Sequence, residues 1–183
     1  MLAPYCLPSA FTAAECARIA ALHDENPGRD GGLAGLGRDH NLRRAELVWL
    51  DEVEETGWIM TRLIDITREA NRARFGFDLS DFAESPQLAR YGAERAGHFH
   101  WHADIGDTAL AARRKLTLVV QLSGPDEYDG GTLEIMPSAR VQEAPRGQGD
   151  AVLFPAFLLH RVTPVTRGAR LSLTVWAHGP AFR

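Results

Sequence analysis

Apolar residues in the first 85 positions recur with helical spacing. Thr12 and Glu15 match a capping box, which predicts that a helix begins at residue 13. The run Asn26-Pro27-Gly28 predicts that this helix ends near residue 25. A second helix is predicted from about Glu52 to Arg74, because its apolar residues are spaced four, three, four and three apart: Ile59, Leu63, Ile66, Ala70 and Ala73.

Two segments between these helices have other patterns. Residues 28–40 contain five glycines and few residues that could form a core, which indicates a flexible surface loop. The run Ala45 to Leu50 is apolar and short enough to predict a strand.

From residue 86 the pattern changes to short apolar runs separated by Gly, Pro and Asp. Asp129-Gly130-Gly131 predicts a hairpin turn. Several short strands with turns between them indicate a β-sandwich or barrel. The segments predicted to form strands are 87–91, 98–104, 115–122, 131–136, 151–154, 158–162 and 169–177.

The fold class predicted from both halves is α+β. Residues 86–183 would form a jelly-roll catalytic core, and residues 1–85 a helical support region packed on one sheet. The chain has 183 residues, a length typical of one domain, so we expect a single domain over 1–183.

Composition excludes several classes of protein. Hydrophobic residues make up 45% of the chain, enough for a substantial core, which excludes general disorder. The net charge of −4 argues against a nucleic-acid binder. No apolar run approaches the roughly 20 residues that span a bilayer, and the first residues lack a basic signal-peptide region. We therefore expect a cytoplasmic protein that binds neither nucleic acid nor membrane.

The candidate chemistry begins in the run from Gly97 to Asp104. On a regular strand His98, His100, His102 and Asp104 would share one face, so His102 and Asp104 could bind one metal ion. His160 lies in a later apolar run and is the natural third ligand. Two histidines and one carboxylate form the facial triad of non-haem Fe(II) oxygenases.

Arg170 follows His160 by ten residues and makes this interpretation more specific. It shares one strand face with Ser172, Thr174 and Trp176, while the leucines between them face the opposite side. An arginine that points into a barrel needs a partner, and the guanidinium fork is suited to a carboxylate.

This combination resembles the Fe(II)/2-oxoglutarate-dependent dioxygenases, in particular the prolyl 4-hydroxylase branch with its PKHD-type hydroxylases. The resemblance covers about half of the chain, in three stretches: YGAERAGHFHWHAD, KLTLVVQLSGPDEYDGGTLEI and GDAVLFPAFLLHRVTPVTRGARLSLTVW. It implies a double-stranded β-helix (jelly roll) and an enzyme that hydroxylates an unactivated C–H bond with release of succinate and CO2. The substrate would be a small molecule, an amino acid or a peptidyl residue such as proline, with dioxygen as co-substrate.

The resemblance also assigns roles to single residues. His102, Asp104 and His160 would bind Fe(II), and Arg170 would bind the distal carboxylate of 2-oxoglutarate. Tyr91 and Thr174 would contact the same co-substrate, and ascorbate could serve as reductant. Gln121 stands where related proteins often have a co-substrate-binding tyrosine, so it would either bind the carboxylate or face the primary substrate.

Other residues could contact the substrate. His100 is the histidine expected to line the pocket, Arg114 could bind an anionic part of the substrate, and Trp176 would form a pocket wall. The mobile segments expected to cover the site are residues 28–40 and 105–112. Two alternatives remain at this point: a cupin-type metal enzyme that does not use 2-oxoglutarate, and a catalytically silent jelly-roll binding module. Arg170 discriminates against the cupin alternative.

Overall fold

The computed structural model describes residues 3–26, 28–30, 40–54 and 56–182. In this part of the chain there are two α-helices, α1 (Ala13–Glu25) and α2 (Gly57–Ala70). The Thr12 hydroxyl accepts a hydrogen bond from the Glu15 amide, and the Glu15 carboxylate accepts one from the Thr12 amide, so the predicted capping box is confirmed. Neither helix is long and apolar enough to cross a bilayer.

The second helix is shorter than the sequence predicted. It begins at Gly57 rather than near Glu52, because residues 50–52 form a 3-10 turn and the Thr56 hydroxyl donates to the Leu50 carbonyl at 2.9 Å. At its other end it continues as a π-helical turn, Asn71–Phe75.

Thirteen strands in the described residues form two antiparallel sheets. The larger sheet has eight strands: β1 (Tyr5–Leu7), β2 (Arg29–Asp30), β4 (Glu46–Trp49), β5 (Gln87–Gly92), β7 (Arg114–Gln121), β8 (Tyr128–Gly130), β11 (Ala151–Pro155) and β13 (Val165–His178). The smaller sheet has five strands: β3 (Arg43–Arg44), β6 (His98–His102), β9 (Leu133–Met136), β10 (Gln142–Glu143) and β12 (Leu159–Val162).

The order of the strands follows a jelly roll rather than the order of the chain. The larger sheet runs β1-β11-β7-β13-β5-β4-β2, with β8 paired to β13, and the smaller sheet runs β10-β9-β12-β6-β3. The seven strands predicted after residue 86 and the strand near Ala45 to Leu50 are all present. The predicted α+β jelly roll is therefore confirmed.

Alternation along the central strands separates two apolar layers. Leu173 and Val175 of β13 face the helices, where Ile59 and Leu63 of α2 and Ile19 of α1 complete one core. A second core lies between the sheets and includes Tyr91, Val119, Leu133, Phe154 and Val162. The interior face of β13 carries Arg170, Ser172, Thr174 and Trp176, so the polar residues of this strand lie between the sheets.

Residues 1–85 are more than a helical support region. Strand β1 pairs with β11, β4 pairs with β5, and β3 extends the smaller sheet beside β6. The sequence did not predict β1, β2 or β3 because strands of two or three residues are too short to show alternation. Residues 31–39, most of the glycine-rich loop expected over 28–40, lie outside the described residues.

The hairpin expected at Asp129-Gly130-Gly131 is wrong. Strand β8 pairs with β13, with Gly130 opposite Val165, and the chain then crosses to the smaller sheet as β9. Gly130 has φ +71°, and a Cβ there would lie 2.1 Å from the Pro164 carbonyl oxygen. Glycine is therefore required for the crossing between the sheets rather than for a two-residue hairpin.

Candidate active site

Three side chains that could bind one metal ion meet between the sheets. His102 ends β6, Asp104 follows it, and His160 on β12 is the cross-strand partner of His102. The Nε2 atoms of His102 and His160 lie 3.6 Å and 3.5 Å from the two Asp104 carboxylate oxygens. Ligand atoms from the three residues all lie within 4.8 Å of one another. Two imidazoles and one carboxylate fit the donor set of a non-haem Fe(II) site.

Hydrogen bonds orient both imidazoles towards the centre of this cluster. His102 Nδ1 lies 2.7 Å from the His100 carbonyl oxygen, and His160 Nδ1 lies 3.0 Å from the Leu158 carbonyl oxygen. Because a carbonyl can only accept, each Nδ1 carries a proton, and the lone pair of the neutral imidazole is then on Nε2. Metal-binding histidines commonly have this arrangement.

The protein keeps Asp104 ionised although it is buried. Burial raises the pKa of its carboxyl, but the nearby His160 and His102 and the Thr117 hydroxyl, which donates at 2.6 Å, together lower that pKa well below its usual range. Burial lowers the pKa of His160 to about 4 and outweighs the opposite effect of Asp104. The cluster is therefore a carboxylate with a neutral imidazole at neutral pH, as metal binding requires.

A β-bulge decides which histidine of β6 faces this cluster. His160 pairs with His102 and Val162 pairs with Phe99, so two residues of β6, His100 and Trp101, lie opposite one residue of β12. The rings of Phe99 and His102 consequently stack, 3.5 Å apart between centroids. The expectation that His100 lines the pocket is wrong: the bulge turns His100 outward, where it is exposed and its Nδ1 accepts from the Trp101 amide.

Arg170 is buried between the sheets and is 2% exposed. Its Nε donates to Gln121 Oε1 at 3.0 Å and one terminal nitrogen donates to the Ser172 hydroxyl at 3.2 Å. Burial lowers its pKa, while Tyr91 and Tyr128 act in the opposite direction. No carboxylate of the described residues pairs with it. A buried guanidinium that has only neutral partners has the charge and the donors to bind an anion.

Tyr128 is a residue of this site that sequence reasoning missed. It lies at the start of β8, fully buried, and its hydroxyl accepts a hydrogen bond from Gln121 Nε2 at 2.9 Å. Gln121 therefore connects a phenol to Arg170, although no tyrosine stands at position 121 itself. Gly131 makes room for this cluster, since a Cβ there would lie 3.2 Å from both the Arg170 stem and the Tyr128 ring. The only sequence signal for Tyr128 is its place directly before the turn-like run Asp129-Gly130-Gly131.

The three metal-binding candidates and the guanidinium of Arg170 line one cavity of about 780 Å³. Tyr91, Thr174 and Trp176 line it, together with residues 105–108 of the segment expected to act as a lid, and contacts of Tyr91 and Thr174 with a co-substrate stay predictions. The sequence did not single out Arg43, Gln87 or Phe99, which also line the wall.

Arg114 lies at the cavity wall, where other residues already occupy most of its donors. It pairs with Glu84 through two nitrogens, donates to the Asp104 carbonyl oxygen at 2.9 Å and lies over the Trp176 ring at 4.1 Å. Glu84 also accepts from the buried His178 at 2.9 Å. These contacts hold the chain at Asp104 in place. A contact between Arg114 and substrate stays a prediction.

Replacing Glu84 by glutamine should lower the free energy of unfolding by about 3 kcal/mol, because it leaves a buried guanidinium unpaired. Burial raises the pKa of Glu84, but Arg114 and His178 lower it further, so the net pKa is lowered. The wild type should therefore lose its advantage as the pH falls through the pKa of folded Glu84. Urea unfolding at several pH values measures this difference.

Asp129→Asn is the control, because its ion pair with Arg167 is exposed and should add little to stability. Equal losses in the two variants would contradict a structural role for the buried pair.

The family model for the 2OG-Fe(II) oxygenase superfamily matches residues 86–178, just over half of the chain. The chain belongs to this superfamily. Fe(II) and 2-oxoglutarate, expected from the sequence, are the metal and co-substrate of the family, and membership argues against the cupin-type alternative.

Curated relatives place the chain near one branch of the superfamily. A PKHD-type hydroxylase of Stutzerimonas stutzeri is 41% identical over 85 residues, which cover 44% of this chain and 38% of that protein. Another from Hyphomonas neptunium is 38% identical over 97 residues, which cover 50% of this chain and 42% of that protein. The chain thus matches less than half the length of these relatives.

Solved structures of this oxygenase family share the fold across almost the whole chain. A prolyl-4-hydroxylase of Pseudomonas putida has a TM-score of 0.76 at 21% identity, covering 99% of this chain and 95% of that one. A prolyl hydroxylase of Trichoplax adhaerens, solved with a peptide fragment of hypoxia inducible factor, has a TM-score of 0.80 at 15% identity, covering 96% and 83%. At these identities the likeness concerns the fold alone.

Proposed function

We propose that this chain is an Fe(II)- and 2-oxoglutarate-dependent dioxygenase that hydroxylates an unactivated C–H bond and releases succinate and CO2. One observation carries the proposal: the cluster of His102, Asp104 and His160 and the unpaired guanidinium of Arg170 open into the same cavity. A metal centre alone would suit many enzymes. A buried anion site in the same cavity suits a co-substrate that chelates the metal at one end and has a carboxylate at the other.

Each residue of the cluster would have a separate task at the metal. His102 and His160 would bind Fe(II) through Nε2, and Asp104 would bind it through a carboxylate oxygen. When bound, Fe(II) and 2-oxoglutarate supply the activation of dioxygen, which lies beyond any side chain of this protein. Thr117 would keep the Asp104 carboxylate oriented, since its hydroxyl donates to Oδ2.

The co-substrate would lie along the interior face of β13. Arg170 would bind its distal carboxylate through the guanidinium fork, while Gln121 and Ser172 fix the orientation of that fork. Tyr91, the cross-strand partner of Arg170, and Thr174 would contact the same molecule. Because the site is buried, these interactions would be stronger than in water.

The remaining cavity would hold a small molecule, an amino acid or a short peptidyl substrate beside Trp176. Residues 105–112 would exclude water when they close over it. We propose that residues 1–183 act together as one dioxygenase domain, because strands from both halves of the chain build the walls of this cavity.

The test is succinate formation from 2-oxoglutarate under air, with and without Fe(II), with ascorbate present as reductant. The proposal expects succinate only when Fe(II) is present, and more of it when a substrate is hydroxylated. A catalytically silent binding module would form no succinate above the iron-free background with any amino acid or peptide, and that result would refute the proposed activity.

A further inference from the structure

A second buried guanidinium, that of Arg43, lines the same cavity. Arg43 is 6% exposed and lies on β3 opposite Phe99 of β6. One terminal nitrogen donates to Gln87 Oε1 at 2.6 Å, and the guanidinium carbon lies 4.6 Å from the centre of the Phe99 ring. Its Nε is buried without a hydrogen-bond partner. Across the described residues, no carboxylate pairs with Arg43.

Two other charged side chains around the cavity, Arg114 and Asp30, have charged partners within the protein. Arg114 is paired with Glu84, and Asp30 with Arg95 and His40. An amide oxygen and an aromatic face, the two partners of Arg43, lessen the cost of burying a cation but do not neutralise it. The guanidinium of Arg43 can therefore bind an anion that is not part of the chain.

The anion at Arg43 would differ from the one at Arg170. Gln87, which holds Arg43, and Tyr91, which faces Arg170, lie on the same face of β5 four residues apart. That spacing separates the two positions by about 13 Å along the strand. Arg43 lies instead near the metal cluster, because the Phe99 ring under its guanidinium stacks on His102. One distal carboxylate of 2-oxoglutarate cannot serve both arginines.

We propose that Arg43 binds a carboxylate of the primary substrate, so that the substrate is a small carboxylic acid such as a free amino acid. The inference rests on the proposed function and narrows its substrate class. Arg43 would bind the carboxylate through its free donors, and the substrate would extend past Phe99 towards the metal cluster. A peptide residue within a chain has no such carboxylate, whereas the C-terminal residue of a peptide does.

The test compares acids with their amides in the Fe(II)-loaded protein. The probes are the twenty common L-amino acids, their carboxamides and Gly-Gly peptides that end in the same residues. Stimulation of succinate formation gives an apparent affinity for each. At least one free acid should stimulate succinate formation, and the apparent affinity for its carboxamide should be lower by at least about 30-fold. If a peptide and the free acid of its last residue have equal apparent affinities, the carboxylate belongs to the end of a peptide. If the peptide has the lower affinity, the carboxylate belongs to a free amino acid.

Variants then assign the effect to one side chain. Arg43→Gln should lower the apparent affinity for the acid by about 30-fold or more and leave that for the carboxamide unchanged. Arg43→Lys should lie between this variant and the wild type, because a point charge lacks the guanidinium fork. Arg44→Gln is the matched control, since the neighbouring Arg44 bonds only backbone carbonyls of His40 and Arg95. Thermal melting and anaerobic titration with 2-oxoglutarate confirm that each variant is folded and binds co-substrate.

Three results would overturn the inference: acids and amides that stimulate equally, no carboxylate probe that stimulates, or an Arg43→Gln variant that loses 2-oxoglutarate affinity as Arg170→Ala does. These results differ from a failure of the proposed function. In that case the wild type would form no iron-dependent succinate at all.

Discussion

Replacing His160 by alanine should abolish succinate formation and weaken Fe(II) binding by more than 100-fold. Loss of a residue that only hydrogen-bonds to a metal ligand already costs about 10- to 100-fold in metal affinity, and loss of the ligand itself should cost more. His102→Ala and Asp104→Ala should have the same effect, because two remaining ligands no longer fix the metal. Equilibrium dialysis against Fe(II) under nitrogen measures the affinity directly.

His100→Ala is the control for these three variants. His100 lies on the same strand as His102 but faces outward. The His100→Ala variant should therefore keep the iron affinity of the wild type. A His160→Ala variant with unchanged iron affinity and succinate formation would show that the ligand assignment is wrong. A His100→Ala variant that no longer binds iron would show that His100 faces the metal and that the bulge is not where the structure has it.

Removing the guanidinium of Arg170 should act on the co-substrate and not on the metal. Arg170→Ala leaves the distal carboxylate of 2-oxoglutarate buried and unpaired, which costs about 2–5 kcal/mol, or roughly 30- to several-thousand-fold in affinity. Arg170→Lys should lie between this variant and the wild type. Thr174→Val should have a smaller effect in the same direction, because it loses one hydroxyl contact and leaves no charge unpaired.

Titration of 2-oxoglutarate into the anaerobic Fe(II) protein, followed by its charge-transfer absorption, gives these affinities. Arg167→Ala is the matched control: it removes an arginine from the same strand whose pair with Asp129 is exposed. The dioxygenase assignment would not survive an Arg170→Ala variant that binds 2-oxoglutarate as tightly as the wild type.

Long periodic patterns predicted most of the framework correctly. The stripe from Ile59 to Ala70 gave α2 and its buried face, and the alternation of β13 placed Arg170 and the leucines on opposite sides. His160 lies 58 residues after His102 and was predicted as the third ligand from the chemistry of the donor set rather than from its position in the sequence. The helix and the strand faces depend on local spacing, which a sequence records.

Features that depend on strand pairing could not be predicted. The outward direction of His100 follows from the pairing of β6 with β12, and no residue within β6 indicates it. Strand β8 joins β13 because the chain crosses between sheets there. Arg43 lies on a strand of two residues, too short for any pattern, and only the fold brings it to the cavity.

The bulge in β6 also bears on how the gene can change. His102 stands three residues after Phe99, and its side chain shares the inward face with Phe99 only because the bulge absorbs one extra residue between them. If β6 kept its length but lost the bulge, regular alternation would rotate the imidazole to the other side of the sheet, although every chemical group remained in the protein. Losing a single codon there would instead leave the two residues on one face of a regular strand, so a homologue with a segment one residue shorter would need no bulge to turn its histidine inward.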